Sequence, residues 1–144
     1  MGSSAARGTA RSIRTVPMSG DFTLTFDGWT EEKGTFEVRL LDPKTNEVFH
    51  TFCFMGQYHP VLDGVKSCIL KGNMFVAVNP RMWIFPGRLF HFEVRTARSQ
   101  YQMFLNGELG PVFVDPDQPD ASREFKIQLA CSIEGRKTRS GSTT

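Results

Sequence analysis

Residues 89–96 read LFHFEVRT, with Phe90, Phe92 and Val94 at one parity and His91, Glu93 and Arg95 at the other. Side chains of a strand point to opposite faces at successive positions, so this stretch predicts a half-buried strand with its phenylalanines turned inward. Five residues further on, Tyr101 to Leu105 runs into Asn106-Gly107. Both residues of that pair tolerate positive φ, which a two-residue hairpin turn requires. Working outward, the same alternation recurs at Phe22/Leu24/Phe26, at Phe36/Val38/Leu40 and at Phe125/Ile127/Leu129/Cys131/Ile133. Val48 to Met55 is a nearly continuous apolar strand, and Val65 to Leu70 leads through Lys71-Gly72-Asn73 into Met74 to Val78. Asp42 to Glu47 (DPKTNE) carries the Pro, Asp and Asn of a connection between strands. No segment shows a 3.6-residue period. Many short strands joined by hairpins predict an all-β, two-sheet antiparallel sandwich, with Phe36, Val38, Phe90, Phe92, Phe125, Ile127 and Leu129 facing inward.

Composition agrees with one domain. The chain has 144 residues, 40% hydrophobic and 22% charged, enough to bury a core without disulfides or metal. Thirteen Phe stand against two Trp and two Tyr, and a ring without a polar atom suits the space between two sheets. No apolar run reaches the ~20 residues that would span a bilayer, so no membrane insertion is expected. Six of the seventeen basic residues lie in the tails, which leaves eleven between Asp21 and Glu134 against fifteen acids, a balance of −4. A nucleic-acid module carries a basic patch on the folded body, so a nucleic-acid partner is not expected.

Residues 1–19 are small, polar and Arg-bearing and predict a disordered or vector-derived leader, with Met18 an alternative start. They lack the apolar stretch of a secretory signal, and Ala6 stands where myristoylation wants Ser or Thr. The sandwich is expected over residues 20–135, and residues 136–144 are expected to be an unfolded tail. Cys53, Cys68 and Cys131 are odd in number and lack the paired spacing of metal or redox motifs, so they are read as free thiols. A reducing compartment follows: the cytoplasm, or export without a signal peptide.

Met82-Trp83-Ile84-Phe85-Pro86-Gly87, followed by Leu89 to Thr96 and Tyr101 to Leu109, resembles the galectin carbohydrate-recognition domain. Gly34 to Phe54 and Gly64 to Phe75 are similar to the strand pairs before it. The resemblance implies a jelly-roll sandwich that binds β-galactosides on one sheet. The family does so with a His-x-Asn-x-Arg run, an Asn on the next strand, and a Trp-Gly-x-Glu segment. A sugar needs hydrogen-bond partners for its hydroxyls and an aromatic plane for its apolar face.

The chain departs from that set. If His50 stands for the family's His, then Phe52 and Phe54 occupy the Asn and Arg positions; the alternative register presents Thr51, Cys53 and Met55. A slip of one residue flips every side chain to the other face. Ser67 lies near the family's Asn, and the Trp-Gly-x-Glu positions hold Asn73-Met74-Phe75-Val76. Asn79-Pro80-Arg81 resembles part of the first motif but lies past the second strand pair.

Elsewhere, Asp115 to Asp120 (DPDQPD) resembles a calcium loop but lacks its Gly turn and distal Glu, so it reads as a solvated loop. His50, His59 and His91 lack zinc-ligand spacing, and there is no Gly-x-Ser-x-Gly. No cofactor, metal or enzymatic activity is expected. The expected function is that of a carbohydrate-binding, lectin-like module of galectin type with altered or weak sugar specificity, its partner a glycan or glycoprotein. The alternative is a protein-interaction domain on the same sandwich. Polar strand residues expected to line a sugar site are Arg39, His50, Thr51, Lys66, Ser67 and His91, with Arg95 beside them as an outward-facing candidate. The bland reading of the charged ones is a solvated sheet face.

Overall fold

Period-two alternation is realised as ten strands in a computed structural model, which describes residues 10–17 as a backbone trace and residues 21–97, 99–117 and 124–133 in full. The strands are β1 (Ala10–Pro17), β2 (Phe22–Gly28), β3 (Gly34–Leu41), β4 (Val48–Phe54), β5 (Ser67–Lys71), β6 (Met74–Asn79), β7 (Phe90–Ala97), β8 (Gln100–Leu105), β9 (Glu108–Val114) and β10 (Glu124–Ile133). They form a six-stranded sheet in the order β1-β10-β3-β4-β5-β6 and a four-stranded sheet in the order β2-β7-β8-β9. Every pairing is antiparallel. The fold is a two-sheet sandwich.

Its core is the seam between the inner faces. Phe36, Val38 and Leu40 of β3 and Phe52 and Phe54 of β4 meet Phe90, Phe92 and Val94 of β7 and Met103 of β8. The Phe92 ring stacks on Phe26 at 4.8 Å and meets Phe54 edge-on at 4.8 Å, so the Phe-rich composition is concentrated at this seam. The inward positions read from the sequence all belong to the core cluster, Leu129 as a half-buried member. Turn chemistry also holds. Asn106 (φ 51°) and Gly107 (φ 85°) close the β8–β9 hairpin with both residues left-handed. Asp42 Oδ1 accepts from the backbone N–H groups of Lys44 and Thr45, which shapes the β3–β4 turn.

One expectation is corrected. The leader assigned to residues 1–19 contains β1, whose eight residues pair with β10 from Ala10↔Cys131 to Pro17↔Glu124. Apolar content was the wrong criterion for it. An edge strand is held by main-chain bonds to its neighbour, and Ile13, Thr15 and Val16 are β-branched residues that favour extended backbone. Residues 1–9 and the expected tail 136–144 lie outside the described residues.

Candidate functional site

The outer face of the six-stranded sheet carries the second parity of each strand. Thr35, Glu37 and Arg39 of β3, Thr51 and Cys53 of β4, Cys68 and Leu70 of β5 and Phe75 of β6 line an open groove of about 340 Å³. Register puts them side by side: Arg39 faces Thr51, Glu37 faces Cys53, and Thr51 faces Leu70. An irregularity between Ile69 and Leu70 sets the far wall. Ile69 pairs with Ala77 but Leu70 pairs with Phe75, so Val76 is the extra residue. Val76 and Ala77 pack toward the core and Phe75 turns to the groove.

The groove has a polar side and an apolar side. On the polar side Arg39 Nε and NH2 donate to Glu37 Oε1 at 2.8 and 2.6 Å, and Arg39 NH1 donates to Gln128 Oε1 at 3.1 Å. A guanidinium carries five N–H donors, so these three bonds leave two. Thr35 Oγ1 donates to Gln57 Oε1 at 3.2 Å. On the apolar side Cys53, Met55 and Cys68 form a small cluster with Leu62, Val65, Leu70 and Phe75. Leu62 and Val65 belong to the β4–β5 connection, which folds back through a bridge between His59 and Gly64. Early in that connection lies Gly56, where a side chain would collide with the Gly34 carbonyl. The His59 ring then stands edge-on to Phe75 at 5.4 Å, and Tyr58 donates its hydroxyl to Asp63 at 2.9 Å.

Of the six expected site residues, the groove brings together Arg39 and Thr51. His50 has the opposite parity and is buried, its Nε2 3.0 Å from Asp115 Oδ2 and its ring 4.4 Å from Tyr101. Ser67 also faces inward, where its Oγ accepts from the Met55 N–H at 3.2 Å. Lys66 sits half-buried just before β5 and does not line the groove. His91 and Arg95 belong to the other sheet: His91 Nδ1 lies 2.6 Å from Asp27 Oδ1, and the Arg95 guanidinium sits 4.5 Å from the Phe104 ring centre. A single polar face built from Arg39, Lys66, His91 and Arg95 is therefore corrected. Alternation assigns a side chain to a face of its own strand, not to a sheet. The register question is settled by the core: Phe52 and Phe54 are buried between the sheets, so Thr51, Cys53 and Met55 lie on the groove side, with Cys53 and Met55 buried at its floor.

Sequence reading missed Glu37, Gln57, His59 and Phe75 as groove residues. Glu37 shares parity with Arg39, a signal that was available. Gln57 and His59 lie in a connection whose path follows from tertiary packing alone.

Asp115, which opens the segment read as a solvated loop, is buried in a second polar cluster, while Asp117 is exposed and residues 118–120 lie outside the described residues. Asp115 is 1% exposed and receives Lys71 Nζ at 2.8 Å, the Asp117 backbone N–H at 2.8 Å and the His50 ring. Burial works to raise the Asp115 carboxyl, but the bonds from Lys71, Asp117 and His50 together pull it below its ordinary range. Burial lowers His50 below its usual value, against the opposing pull of Asp115. Lys71 is raised by its bonds to Asp115 and Asp117. The cluster ties the end of β9 to β4 and β5, and so joins the two sheets. Among the described residues no group of three or more His, Cys, Asp or Glu is placed to hold a metal ion.

Compared by sequence, the chain matches no protein-family model and none of the curated proteins. Solved structures do match its fold. Sheep galectin-11, in complex with glycerol, aligns over 88% of this chain and 92% of its own at a TM-score of 0.57 and 13% identity. The carbohydrate-binding module CBM66 from Bacillus subtilis aligns over 90% and 81%, also at 0.57 and 13%. An alginate lyase of polysaccharide lyase family 7, AlgAT5, aligns over 90% of this chain at 0.52 and 11%, and the chain spans 54% of its length. At these identities the likeness is one of fold: the chain is a galectin-like sandwich.

Proposed function

We propose that the outer groove of the six-stranded sheet binds a carbohydrate, making this chain a non-catalytic, lectin-like module whose specificity differs from that of galactoside-binding galectins. The observation that carries the reading is the pairing of two chemistries in one groove. Arg39, locked to Glu37, offers fixed donors and an acceptor, and Phe75 offers an aromatic face three strands away. At about 4.8 Å per strand those ends lie ~14 Å apart, more than one sugar ring needs. Thr51, Gln57 and Asn73 add hydroxyl and amide partners between them. A pyranose presents ring hydroxyls and an apolar face at once, which is the complement of such a groove. The galectin and CBM66 likeness supports the same class of ligand.

A glycan array probed with the purified chain tests this. The expected result is binding to a subset of glycans that is lost in Arg39→Ala and in Phe75→Ala and kept in His91→Ala. Binding to no glycan, or binding that survives both groove substitutions, overturns the reading and leaves the protein-interaction alternative. Alginate incubated with the chain is expected to keep its length; shortening of the polymer would reveal a lyase.

A further inference from the structure

Cys53 and Cys68 are fifteen positions apart in sequence, yet they are direct partners across the β4–β5 ladder. Both belong to the apolar cluster under the groove, both line the groove, and both are free thiols. Directly opposed residues of an antiparallel pair have Cα atoms about 4.5 or about 5.5 Å apart. Both values fall within the range of about 4.4 to 6.8 Å that a disulfide spans. We propose that this pair is a redox modification site, closing to a reversible cross-strand disulfide when the protein meets hydrogen peroxide. The inference stands independently of what fills the groove.

Access favours a small oxidant. Cys53 is 5% exposed and Cys68 is 1% exposed, and both line the floor of the groove. The two thiols are inequivalent. A hydrogen bond between them raises Cys53 well above the ordinary range and lowers Cys68, with burial adding to the rise at Cys53 and opposing the fall at Cys68. One sulfur of the pair, as its thiolate, displaces hydroxide from peroxide, giving a sulfenic acid, and the hydroxide takes up a proton to become water. The other sulfur then attacks the oxidised one, loses its own proton and releases the sulfenic oxygen as a second water. Two thiols and one peroxide become one disulfide and two waters, with two electrons passing from the sulfurs to the peroxide. A dithiol reductant returns those electrons and restores both thiols. Cys131 provides an internal reference: it lies in the core on β10, and burial pushes its thiol up to about 12.

The test is a mass measurement on the intact, untreated chain and on the chain exposed to hydrogen peroxide, followed by alkylation and trypsin. Cleavage after Lys44, Lys66 and Lys71 places Cys53 and Cys68 in separate peptides, residues 45–66 and 67–71. The expected result is a loss of two hydrogens, those two peptides recovered joined, and Cys131 alkylated. Dithiothreitol is expected to return both peptides to the alkylated, unlinked form. Any of three outcomes overturns the proposal: both cysteines still alkylated after peroxide, either one driven to sulfinic or sulfonic acid without a link, or a link made to Cys131 or between chains.

Discussion

Phe92 and His91 are neighbours in sequence and differ in everything that sets the cost of losing them. Phe92 is fully buried against Phe26, Phe36 and Phe54, while His91 is exposed beside Asp27. Phe92→Ala is expected to cost ~3–5 kcal/mol in urea unfolding, the range for an aromatic removed from a packed core. His91→Ala is expected to change stability by only ~0.5 kcal/mol. Equal losses would mean that a partner covers the outer face of β7. His50 makes a pH-dependent case. Its pKa is lowered in the folded protein, so the unfolded chain binds the extra proton, and stability falls as pH drops below the unfolded value of about 6.5. Asp115 is also lowered, so its contribution is present above about 3.9 and is lost as pH falls through its folded value. Thermal midpoints across pH are expected to decline first below about 6.5 in the wild type. His50→Gln is expected to abolish that early decline and keep the later acid loss. The Phe92 and His91 contrast was legible from alternation, but the His50–Asp115 contact was not, because the two lie 65 residues apart and nothing local announces their contact.

At the scale of elements, alternation was enough to predict the sandwich and most of its inward faces. β3, β7 and β10 each show one apolar parity, and a strand has only two faces to choose between. β1 escaped because its sequence shows no apolar alternation, while its backbone pairs with β10. Deleting residues 1–17 is expected to lower the thermal midpoint by several degrees and to promote association, since β10 is left with an unpaired edge. An unchanged midpoint, with a monodisperse profile in size-exclusion chromatography, would show that β1 contributes nothing to the fold. The β4–β5 connection was illegible for a different reason. Its return through His59 and Gly64 and its apolar contacts with Cys53 and Phe75 depend on residues brought there by other strands.

For the whole molecule, the decisive fact is which side of β4 meets the groove. With Phe52 and Phe54 committed to the core, a galactose laid on this sheet would meet Thr51, Cys53 and Met55 where the galectin resemblance implies Asn and Arg. Hydroxyls that leave water without partners cost ~1–3 kcal/mol each, so two or three such losses total ~2–9 kcal/mol, enough to offset the ~4 kcal/mol of a millimolar ligand. Passage over a lactose column without retention is therefore expected; retention displaced by free lactose would contradict it. Two polar residues of the groove were readable singly, since Arg39 and Thr51 each lie at the outward parity of their own strand. Its composition as a groove was not, because sheet order is a property of the folded chain.

That sheet order bears on how the molecule is made. β10, the last strand, is inserted between β1, the first, and β3. A chain emerging from the ribosome can pair β3 with β4, β5 and β6 as they appear, and can assemble the β2-β7-β8-β9 sheet, but β1 has nothing to join until residues 124–133 are free. Closure of the six-stranded sheet is therefore a late, long-range event, of the kind that slows folding and leaves strand edges open while it is pending. Chains that stop short of β10 present a bare β3 edge and a stranded β1, so premature termination should yield aggregates rather than a smaller working sandwich.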